Sequence, residues 1–315
     1  MGYNLFGRSM VPFHITTRHR RAPEVLLPCA RHIPSHSPVA ALRKLLPIPI
    51  LLLPTLLATH FCHAAPQRVV SINLCSDQLL LLLGAPSQIT SISYLARDPN
   101  ASWIAERAGR FPVNHASLEE IIGLHPDLIL SGAYTDTLLR RALKQLGYRV
   151  ESIPLATSIA GIRDNIRRVA ALIGRKSQGE RLIADLDTRL AKLRQHRFSR
   201  RPRALFYQPN GYTAGDGTLQ DEALRLAGWE NLAVKLGIQG YAPIDLESLL
   251  LAQPEQFFTS PYAPGTQSLA QHRLRHPALR AVTGGKPMRV MPYRYWLCGG
   301  PMIADAIERL RQVHP

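Results

Sequence analysis

The sequence predicts an α/β fold made of two similar halves that a helical stretch separates. Strand-like and helix-like segments alternate with short connections in both halves, which favours parallel sheets with helices on their faces. One phrase occurs once in each half: SLEEIIGLHPDLILSGAY at 117–134 and DLESLLLAQPEQFFTSPY at 245–262. Its offset of 128 residues is far too long for a solenoid repeat. We therefore expect two related units within one chain.

The first half is predicted to contain four strands and three helices. The strands are rich in β-branched or apolar residues and read, in chain order, RVVSI, QITSISYL, PDLILSG and YRVESIP. The helices between them are SDQLLLLLG, SLEEIIGLH and TDTLLRRALKQLG, of which the first ends at Gly84 and the last at Gly147. Ser117 is the expected N-cap of the second helix, and Glu120 is expected to complete a capping box with it.

Two helical segments follow each other between the halves, SIAGIRDNIRRVAALIG and SQGERLIADLDTRLAKLRQH. The second has leucines at helical spacing and charged residues on the other face, as in an amphipathic helix. Its length and position suit a connector. Alternation then resumes with strands RALFYQ, PEQFFTS and KPMRVMPY and with helices TLQDEALRLAG, DLESLLLAQ and GPMIADAIERLRQ. Asp245 is the expected N-cap of the middle helix.

Composition is typical of a globular protein of about two domains. The chain has 315 residues and 46% apolar residues, too many for a disordered chain. Its formal charge is +16, yet residues 1–64 contain seven basic residues and one acid, and 31 basic and 21 acidic residues lie beyond them. The short run RFSRRPR at 197–203 contains one aromatic residue, Phe198, without the repeated interleaving of a base-stacking surface, and is interpreted as a solvated linker. No nucleic-acid partner is predicted.

The N-terminal segment is predicted to direct export. ALRKLLPIPILLLPTLLATHFCHAAPQ has a basic start, an apolar stretch at 45–58 that is short for a membrane span, and small residues for a cut near Ala64 or Ala65. The irregular residues before it suggest a translation start downstream of Met1. Bulky Phe61 makes lipid attachment at Cys62 an unfavoured alternative. The expected location of the mature chain is the periplasm.

Several segments together keep an order and spacing typical of one protein family. They are RVVSINLCSDQLLLLLG, SLEEIIGLHPDLILSG, GYRVESIP, LAGWENLA, DLESLLLAQPEQFFTS and a terminal segment with Pro, Trp and Gly-Pro before the last helix. Through them, residues 66–315 resemble the periplasmic substrate-binding proteins of ABC importers for ferric siderophores, haem and vitamin B12, most of all the vitamin B12-binding type. Each motif is loose by itself, and their combination is specific.

The resemblance implies two α/β lobes with mainly parallel sheets, joined by one long connecting helix, with the ligand between them. The expected divisions are an extension and export signal at 1–65, an N-terminal lobe at 66–157, a helical connector at 158–200 and a C-terminal lobe at 201–315. The implied role is capture of a metal chelate, a ferric siderophore or corrinoid before haem, and delivery to a permease dimer in the inner membrane. No enzymatic activity and no cofactor are implied, and a monomer is expected.

The resemblance also assigns a function to one acid in each copy of the repeated phrase. Glu119 and Glu247 both occupy the second position of a helix, where the positive helix end favours a carboxylate. One such glutamate is ordinarily explained by helix stability. Two at matching positions, in a family whose glutamates meet arginines of the permease, predict a docking pair.

Ligand-binding residues are expected just after the strands, because open α/β sheets bind ligands beyond the carboxyl ends of their strands. Aromatic side chains there suit a large, flat chelate, although single tyrosines also occur as packing residues. Arg97 and Arg294 are candidates for an anionic ligand, with surface exposure beside Asp98 as the alternative for Arg97. The predicted ligand-binding residues are Asn73, Cys75, Tyr94, Arg97, Tyr134, Tyr207, Asn210, Tyr212, Tyr241, Tyr262, Tyr295, Trp296 and Cys298.

Cys75 and Cys298 are the cysteines that remain after the predicted cut, and both fall on expected cleft loops. They could form a disulfide between the lobes, hold a metal, or remain free as buried or ligand-facing thiols. Two cysteines without a His or acid cluster are a weak metal signal, so no metal site is predicted. A disulfide at the cleft mouth would hinder ligand release, and free thiols are therefore the favoured interpretation.

Two other classes of protein compete with this prediction. An α/β enzyme is suggested by GDGTLQ at 215–220, which lies between a strand and a helix but lacks the third glycine of a dinucleotide fingerprint. No phosphate-binding Gly-Lys-Ser/Thr loop and no Gly-x-Ser-x-Gly elbow occur. A ligand-sensing adaptor for a membrane receptor is the third class, and the sequence alone does not separate it from an importer component.

Overall fold

The computed structural model of the chain describes residues 65–195, 198–262, 268–282 and 284–315. The predicted export signal, its cut near Ala64 and the lipid question at Cys62 lie outside these residues. No helix within the described ranges is long and apolar enough to cross a membrane. Two parallel sheets and one antiparallel strand pair occur in these residues. One parallel sheet lies in residues 66–157, here called the N-lobe, and the other lies in residues 201–315, here called the C-lobe.

The N-lobe sheet is parallel throughout, with strand order β3-β2-β1-β4-β5. The central strands β1 and β4 are completely buried, because helices cover both faces of the sheet. The predicted parallel sheet is confirmed, and the short edge strand β3 is an addition to it. The strands are β1 (Val69–Ser71), β2 (Ile89–Ser93), β3 (Val113–Asn114), β4 (Leu128–Gly132) and β5 (Val150–Ile153).

Four helices belong to the N-lobe, and the first begins earlier than predicted. The helix in SDQLLLLLG starts at Leu74 because the Asn73 side chain accepts a hydrogen bond from the Cys75 N–H at 3.0 Å. The helices are α1 (Leu74–Leu83), α2 (Ala105–Ala108), α3 (Leu118–Gly123) and α4 (Thr137–Gln145).

The connector consists of α5 (Ile159–Leu172) and α6 (Lys176–Gln195), which pack on each other. Helix α5 also packs on α1 of the N-lobe, and the 20-residue α6 packs on the last helix of the C-lobe. Arg189 of α6 donates to Asp305 at 2.6 Å and to Glu308 at 2.9 Å on that last helix. The connector is therefore joined to both lobes along its length.

The C-lobe has a four-stranded parallel sheet of order β11-β10-β6-β8 and a separate antiparallel pair, β7 and β9. Sequence reasoning predicted three strands of the parallel sheet and missed its fourth strand, at 230–231, and the antiparallel pair. The strands are β6 (Arg203–Phe206), β7 (Tyr212–Ala214), β8 (Glu230–Asn231), β9 (Tyr241–Pro243), β10 (Gln256–Thr259) and β11 (Arg289–Val290). The helices are α7 (Leu219–Leu226), α8 (Leu232–Lys235), α9 (Leu246–Ala252), α10 (Leu269–His272), α11 (Pro277–Val282) and α12 (Ile303–Gln312).

The repeated phrase is one structural unit used twice, here called the helix–strand unit: α3 with β4, and α9 with β10. The N-caps are as predicted, because Ser117 accepts from the Glu120 N–H and Asp245 from the Ser248 N–H. After the helix, His125 and Gln253 both adopt the left-handed conformation, with φ of 45° and 48°. This turn reverses the chain before a proline that cannot continue a helix.

An acid after that proline fastens each unit to the first strand of its lobe. Asp127 accepts hydrogen bonds from the backbone N–H groups of Gln67 and Arg68 at 2.7 and 3.0 Å. Glu255 accepts from the backbone N–H of Arg203 at 3.0 Å. Each unit's strand then pairs with that first strand, β4 with β1 and β10 with β6.

One continuous apolar core runs through both lobes and the connector. Leu80 of α1, Ile166 of α5, Leu190 of α6, Phe206 of β6 and Ile307 of α12 are all buried in it. Two smaller clusters lie apart from it, one in each lobe. Because the lobes share this interior, packing as well as the connecting helix holds them together.

Candidate interlobe binding site

The carboxyl ends of the two sheets face each other, and two direct links join the loops that follow their strands. A disulfide joins Cys75, just beyond β1, to Cys298, beyond β11, with Cα atoms 4.9 Å apart. The guanidinium of Arg294 donates to the carbonyl of Pro99, beyond β2, at 2.9 Å. The favoured prediction of free, ligand-facing thiols is therefore wrong. Neighbouring strand ends of different lobes bring the two sulfur atoms together.

Five of the predicted tyrosines have exposed side chains. Their exposed fractions range from 45% to 83%, which is unusual for a residue type whose ring is normally at least half covered. They are Tyr94, Tyr134, Tyr212, Tyr241 and Tyr262.

Four phenols from the two lobes lie close enough to influence each other's ionisation. Burial raises the pKa of the Tyr241 hydroxyl, and the phenols of Tyr293 and Tyr134 raise it further. Burial likewise raises the pKa of Tyr293, with a contribution from Tyr262. Tyr241 is still 52% exposed. A group that is surrounded by protein and yet open to water lies in a recess, here the cleft between Tyr134 of the N-lobe and the three C-lobe tyrosines.

Tyr293 was missed by the sequence analysis, which chose Tyr295 and Trp296 instead. Both of these are 5% exposed and belong to the main core, where Trp296 packs edge-on against Phe206. The predicted strand KPMRVMPY ends at Val290, and Tyr293–Tyr295 form a short 3-10 helix. This turn places Tyr293 towards the cleft and Tyr295 towards the core. Tyr295 and Trp296 are therefore core residues in this structure, and their contact with a ligand stays a prediction.

The remaining predicted residues have structural roles or lie at the rim. Tyr207 is 4% exposed and packs against Phe257 in a C-lobe cluster, so its role as a ligand contact stays a prediction. Asn73 caps α1, as described above. Arg97 donates to the carbonyl of Phe111 at 2.6 Å within the N-lobe. Asn210 is exposed in a left-handed turn before β7, with φ of 63°.

A histidine that sequence reasoning passed over stands at the N-lobe rim. The His115 ring stacks on the Tyr94 ring with centroids 5.2 Å apart and planes 25° apart. Its Nδ1 lies 3.0 Å from Glu120 Oε1, and its backbone N–H donates to Glu120 Oε2 at 2.7 Å. These hydrogen bonds to His115 lower the pKa of the Glu120 carboxyl. The predicted capping box is thus only half formed, because Glu120 binds His115 and not the Ser117 backbone.

A buried carboxyl lies behind the start of α1. Asp77 is fully buried and accepts a hydrogen bond from the Ser93 N–H at 3.1 Å and another from the Ser93 hydroxyl. Burial raises the pKa of Asp77 from 3.8 to about 7, although hydrogen bonds from Ser71 and Ser93 oppose the rise. The first helix of the N-lobe therefore holds an acid that is partly neutral at physiological pH.

The two predicted docking glutamates, Glu119 and Glu247, are exposed at matching places in the helix–strand units. Within the described residues neither forms an ion pair with a basic side chain. Glu247 borders a cavity of about 560 Å³ that Tyr207, Ile244 and His276 also line. A second cavity of about 430 Å³ lies at the other end of α9, near Arg203. Neither cavity includes the interlobe tyrosines.

The described residues contain no group of three or more His, Cys, Asp or Glu side chains that could hold a free metal ion. The chemistry available at the opening is therefore aromatic stacking, phenol hydrogen bonding and the imidazole of His115. This combination suits a large, flat solute better than a bare ion.

Comparison with known proteins agrees with this architecture. The family model for periplasmic binding proteins matches residues 69–293, most of the described chain. The chain belongs to the periplasmic binding protein family. A curated relative of this periplasmic binding protein, the vitamin B12-binding protein of Photorhabdus laumondii, is 28% identical over 265 residues, which cover 81% of this chain and 90% of that protein.

A second relative matches over a shorter region. The cobalamin-binding protein of Halobacterium salinarum is 27% identical over 192 residues, or 60% of this chain. These residues cover 52% of the relative, so the periplasmic binding protein described here spans about half of its length.

Solved structures show the same two-lobed fold with its connecting helix. The periplasmic heme-binding protein of Vibrio cholerae superposes with a TM-score of 0.67 at 20% identity, covering 79% of this chain and 99% of that one. The periplasmic vitamin B12-binding protein of the same organism gives a TM-score of 0.59 at 21% identity, with 79% and 96% covered. The predicted fold class is confirmed.

Proposed function

We propose that this periplasmic binding protein captures a metal chelate in the cleft between its lobes and delivers it to an ABC permease in the inner membrane. The single observation that most supports binding of a metal chelate is the group of tyrosines from both lobes. Tyr134 of the N-lobe lies opposite Tyr241, Tyr262 and Tyr293 of the C-lobe. Rings bury a large area at a small cost in side-chain entropy, and their hydroxyls bind the polar periphery of a chelate.

The curated relatives narrow the class of solute. Proteins named for vitamin B12 or cobalamin binding align with 60–81% of this chain. A corrinoid is therefore the first solute to test, followed by a ferric siderophore and haem. The tyrosines of this chain provide a surface that suits the flat face of a macrocycle.

Delivery is proposed to use Glu119 and Glu247. Both are exposed, unpaired with any described basic residue, and placed in the first turn of a helix that an N-cap side chain begins in each lobe. Two carboxylates placed in this way can each form an ion pair with an arginine of a permease dimer. The location that this requires is the periplasm, and the N-terminal segment before Ala65 is proposed as the cleaved signal.

The test is a titration of the purified chain with aquacobalamin, a ferric trihydroxamate and haemin, followed by visible absorbance. We expect at least one of them to bind at micromolar concentration or tighter. Tyr134→Ala and Tyr293→Ala should each weaken that binding about tenfold or more, since buried aromatic anchors contribute upwards of about 1 kcal/mol. The matched control is Tyr148→Ala, because Tyr148 packs against the outer N-lobe cluster. Absence of binding to all three chelates by a folded protein would refute the proposal.

A further inference from the structure

We propose that His115 is a metal ligand, whose Nε2 atom coordinates the metal of the bound chelate at an exchangeable axial position. The inference rests on the proposed function, which supplies the chelate. It goes further because it names the atom that bonds the metal. It also restricts the solute to chelates that have a replaceable axial ligand.

The position of His115 is suitable because it belongs to the same edge of the sheet as the cleft tyrosines. His115 follows β3, Tyr94 follows β2 and Tyr134 follows β4, and all three strands are parallel. Strands are spaced about 4.8 Å apart, so β3 and β4 lie roughly 14 Å from each other. That span is comparable to the width of a macrocycle. Through the bond from Arg294 to Pro99, the C-lobe reaches the same side of this edge.

Glu120 fixes the tautomer of the imidazole. A carboxylate can only accept hydrogen bonds, so Nδ1, which lies 3.0 Å from Glu120 Oε1, has the proton. In this tautomer Nε2 has the free lone pair, and no described residue donates to it. A histidine that donates one nitrogen to a carboxylate while the other faces outward has the arrangement seen for metal-ligating histidines.

The backbone on both sides of His115 is held firmly for an exposed loop. Buried Asn114 donates to the Ser71 carbonyl, the Ser91 hydroxyl and the Ile92 carbonyl at 2.9–3.1 Å, and accepts from the Ala116 N–H. Ala116 has φ of 58°, a left-handed conformation that is unfavourable for a residue with a Cβ atom. Strain of this kind persists where the surroundings impose it, and it is concentrated at functional sites.

The second helix–strand unit shows that the fold does not need this arrangement. At the offset of 128 residues, Pro243 stands where the N-lobe has His115, and Ser248 where it has Glu120. The hydroxyl of Ser248 donates to the carboxylate of Asp245, the N-cap of the same helix, at 2.8 Å. The C-lobe forms the same helix and strand without any imidazole. Helix formation therefore leaves the His115–Glu120 pair unexplained.

The bonding step is a ligand exchange without redox chemistry. The lone pair of Nε2 forms the new bond to the metal, and an axial water leaves with the electron pair of the old bond. Corrinoids and metalloporphyrins have such an axial position. A hexadentate ferric siderophore fills all six coordination sites of its iron by itself, so it offers no place for an imidazole.

The test compares visible spectra of aquacobalamin and haemin bound to the purified full chain and its variants. Binding to the unsubstituted protein should shift the metal-centred bands of at least one of these probes to the position of an imidazole adduct. His115→Ala should remove that shift and weaken binding by about a hundredfold or more, whereas Glu120→Gln should keep the shift and weaken binding less, by roughly tenfold. Added imidazole should restore the shift to His115→Ala. His272→Ala, at an exposed C-lobe histidine, is the control.

The outcomes separate this inference from the proposed function. If the unsubstituted protein binds a probe and His115→Ala leaves both spectrum and affinity unchanged, the ligand assignment is refuted and chelate binding stands. A loss of affinity without any imidazole-type band in the unsubstituted complex also refutes it, because His115 would then only contact the solute. If no probe binds, or if only the ferric trihydroxamate binds, the assignment fails: the first result also refutes chelate capture, and the second does not.

Discussion

The two helix–strand units are nearly the same in backbone and differ in what they present to solvent. In both, a capped helix ends at a left-handed residue, a proline follows, and an acid binds the backbone before the lobe's first strand. Only the N-lobe unit adds an imidazole held by a carboxylate. The shared residues that cap, turn and fasten the units thus build the fold, and fold formation does not account for the unshared pair.

The same comparison separates the two proposed roles of acids in these units. Glu119 and Glu247 occur at matching positions of both units, are exposed and have no described basic partner. These properties suit contact with a dimeric partner that has twofold symmetry. Glu120 is unshared and already engaged by His115. One position of the helix is therefore suited to docking and the next to holding the imidazole.

The largest expected effect is on uptake. Reversing both shared acids, with Glu119→Lys and Glu247→Lys, should abolish chelate uptake in cells because like charges would then oppose the permease arginines. Chelate affinity of the purified protein should stay within about twofold, since neither side chain lies at the cleft tyrosines. Uptake measured with labelled chelate and affinity measured by absorbance test the two halves of this prediction.

A charge-reversed surface acid elsewhere, Asp185→Lys on α6, is the control for net charge. Each single reversal should cause a partial loss of uptake. Uptake that survives the double reversal would show that the matched positions of Glu119 and Glu247 have no docking role.

The second prediction compares two buried acids, Asp77 in helix α1 of the N-lobe and Asp221 in helix α7 of the C-lobe. Asp221 of α7 is paired with Arg225 at 2.9 Å, whereas the described partners of Asp77 are serines. The folded pKa of Asp77, about 7, is above its unfolded value of 3.8. Protonated Asp77 therefore contributes fully to the free energy of unfolding below about pH 4. This contribution is lost as the pH rises through 7.

Between pH 5 and 8 this loss should amount to about 3 kcal/mol, from two pH units at about 1.4 kcal/mol each. Asp77→Asn should remove that part of the pH dependence, because the amide stays neutral. Urea unfolding at both pH values measures it. If the variant and the parent lose the same free energy between pH 5 and 8, Asp77 is not the titrating group.

The smallest predicted effect tests whether the two units are fastened alike. Asp127→Ala and Glu255→Ala should each lower the free energy of unfolding by about 1–2 kcal/mol, because each removes a charged acceptor of backbone N–H groups. Thermal or urea unfolding gives both values, with Asp185→Ala as the exposed-acid control. A loss in one unit and none in the other would mean that the acids play different parts despite their matching positions.

Much of the fold could be predicted from local sequence signals. Apolar segments such as LILSG and capped helix starts such as Ser117 and Asp245 are determined by neighbouring residues. The repeated phrase could be found by eye, and the structure explains it as a shared turn. Short strands such as β3 and β8 have only two residues each, too few to produce a periodic pattern.

The candidate site was harder to predict because its geometry depends on distant residues. Cys75 and Cys298 are separated by 223 positions, and only the packing of the lobes brings them together. Tyr293 and Tyr295 are alike in sequence, and a short 3-10 turn decides which one reaches the cleft. His115 and Glu120 are five positions apart, which matches no metal-ligand motif, since a single imidazole for a chelate needs no cluster.

The bond between Cys75 and Cys298 also turns nearly the whole described chain into a covalent ring. A protease that nicks any loop inside this ring leaves both pieces attached, so such a molecule would migrate as one band until a reductant separates it. The ring can be closed only after Cys298 has been synthesised, so a product truncated before that residue remains an open chain.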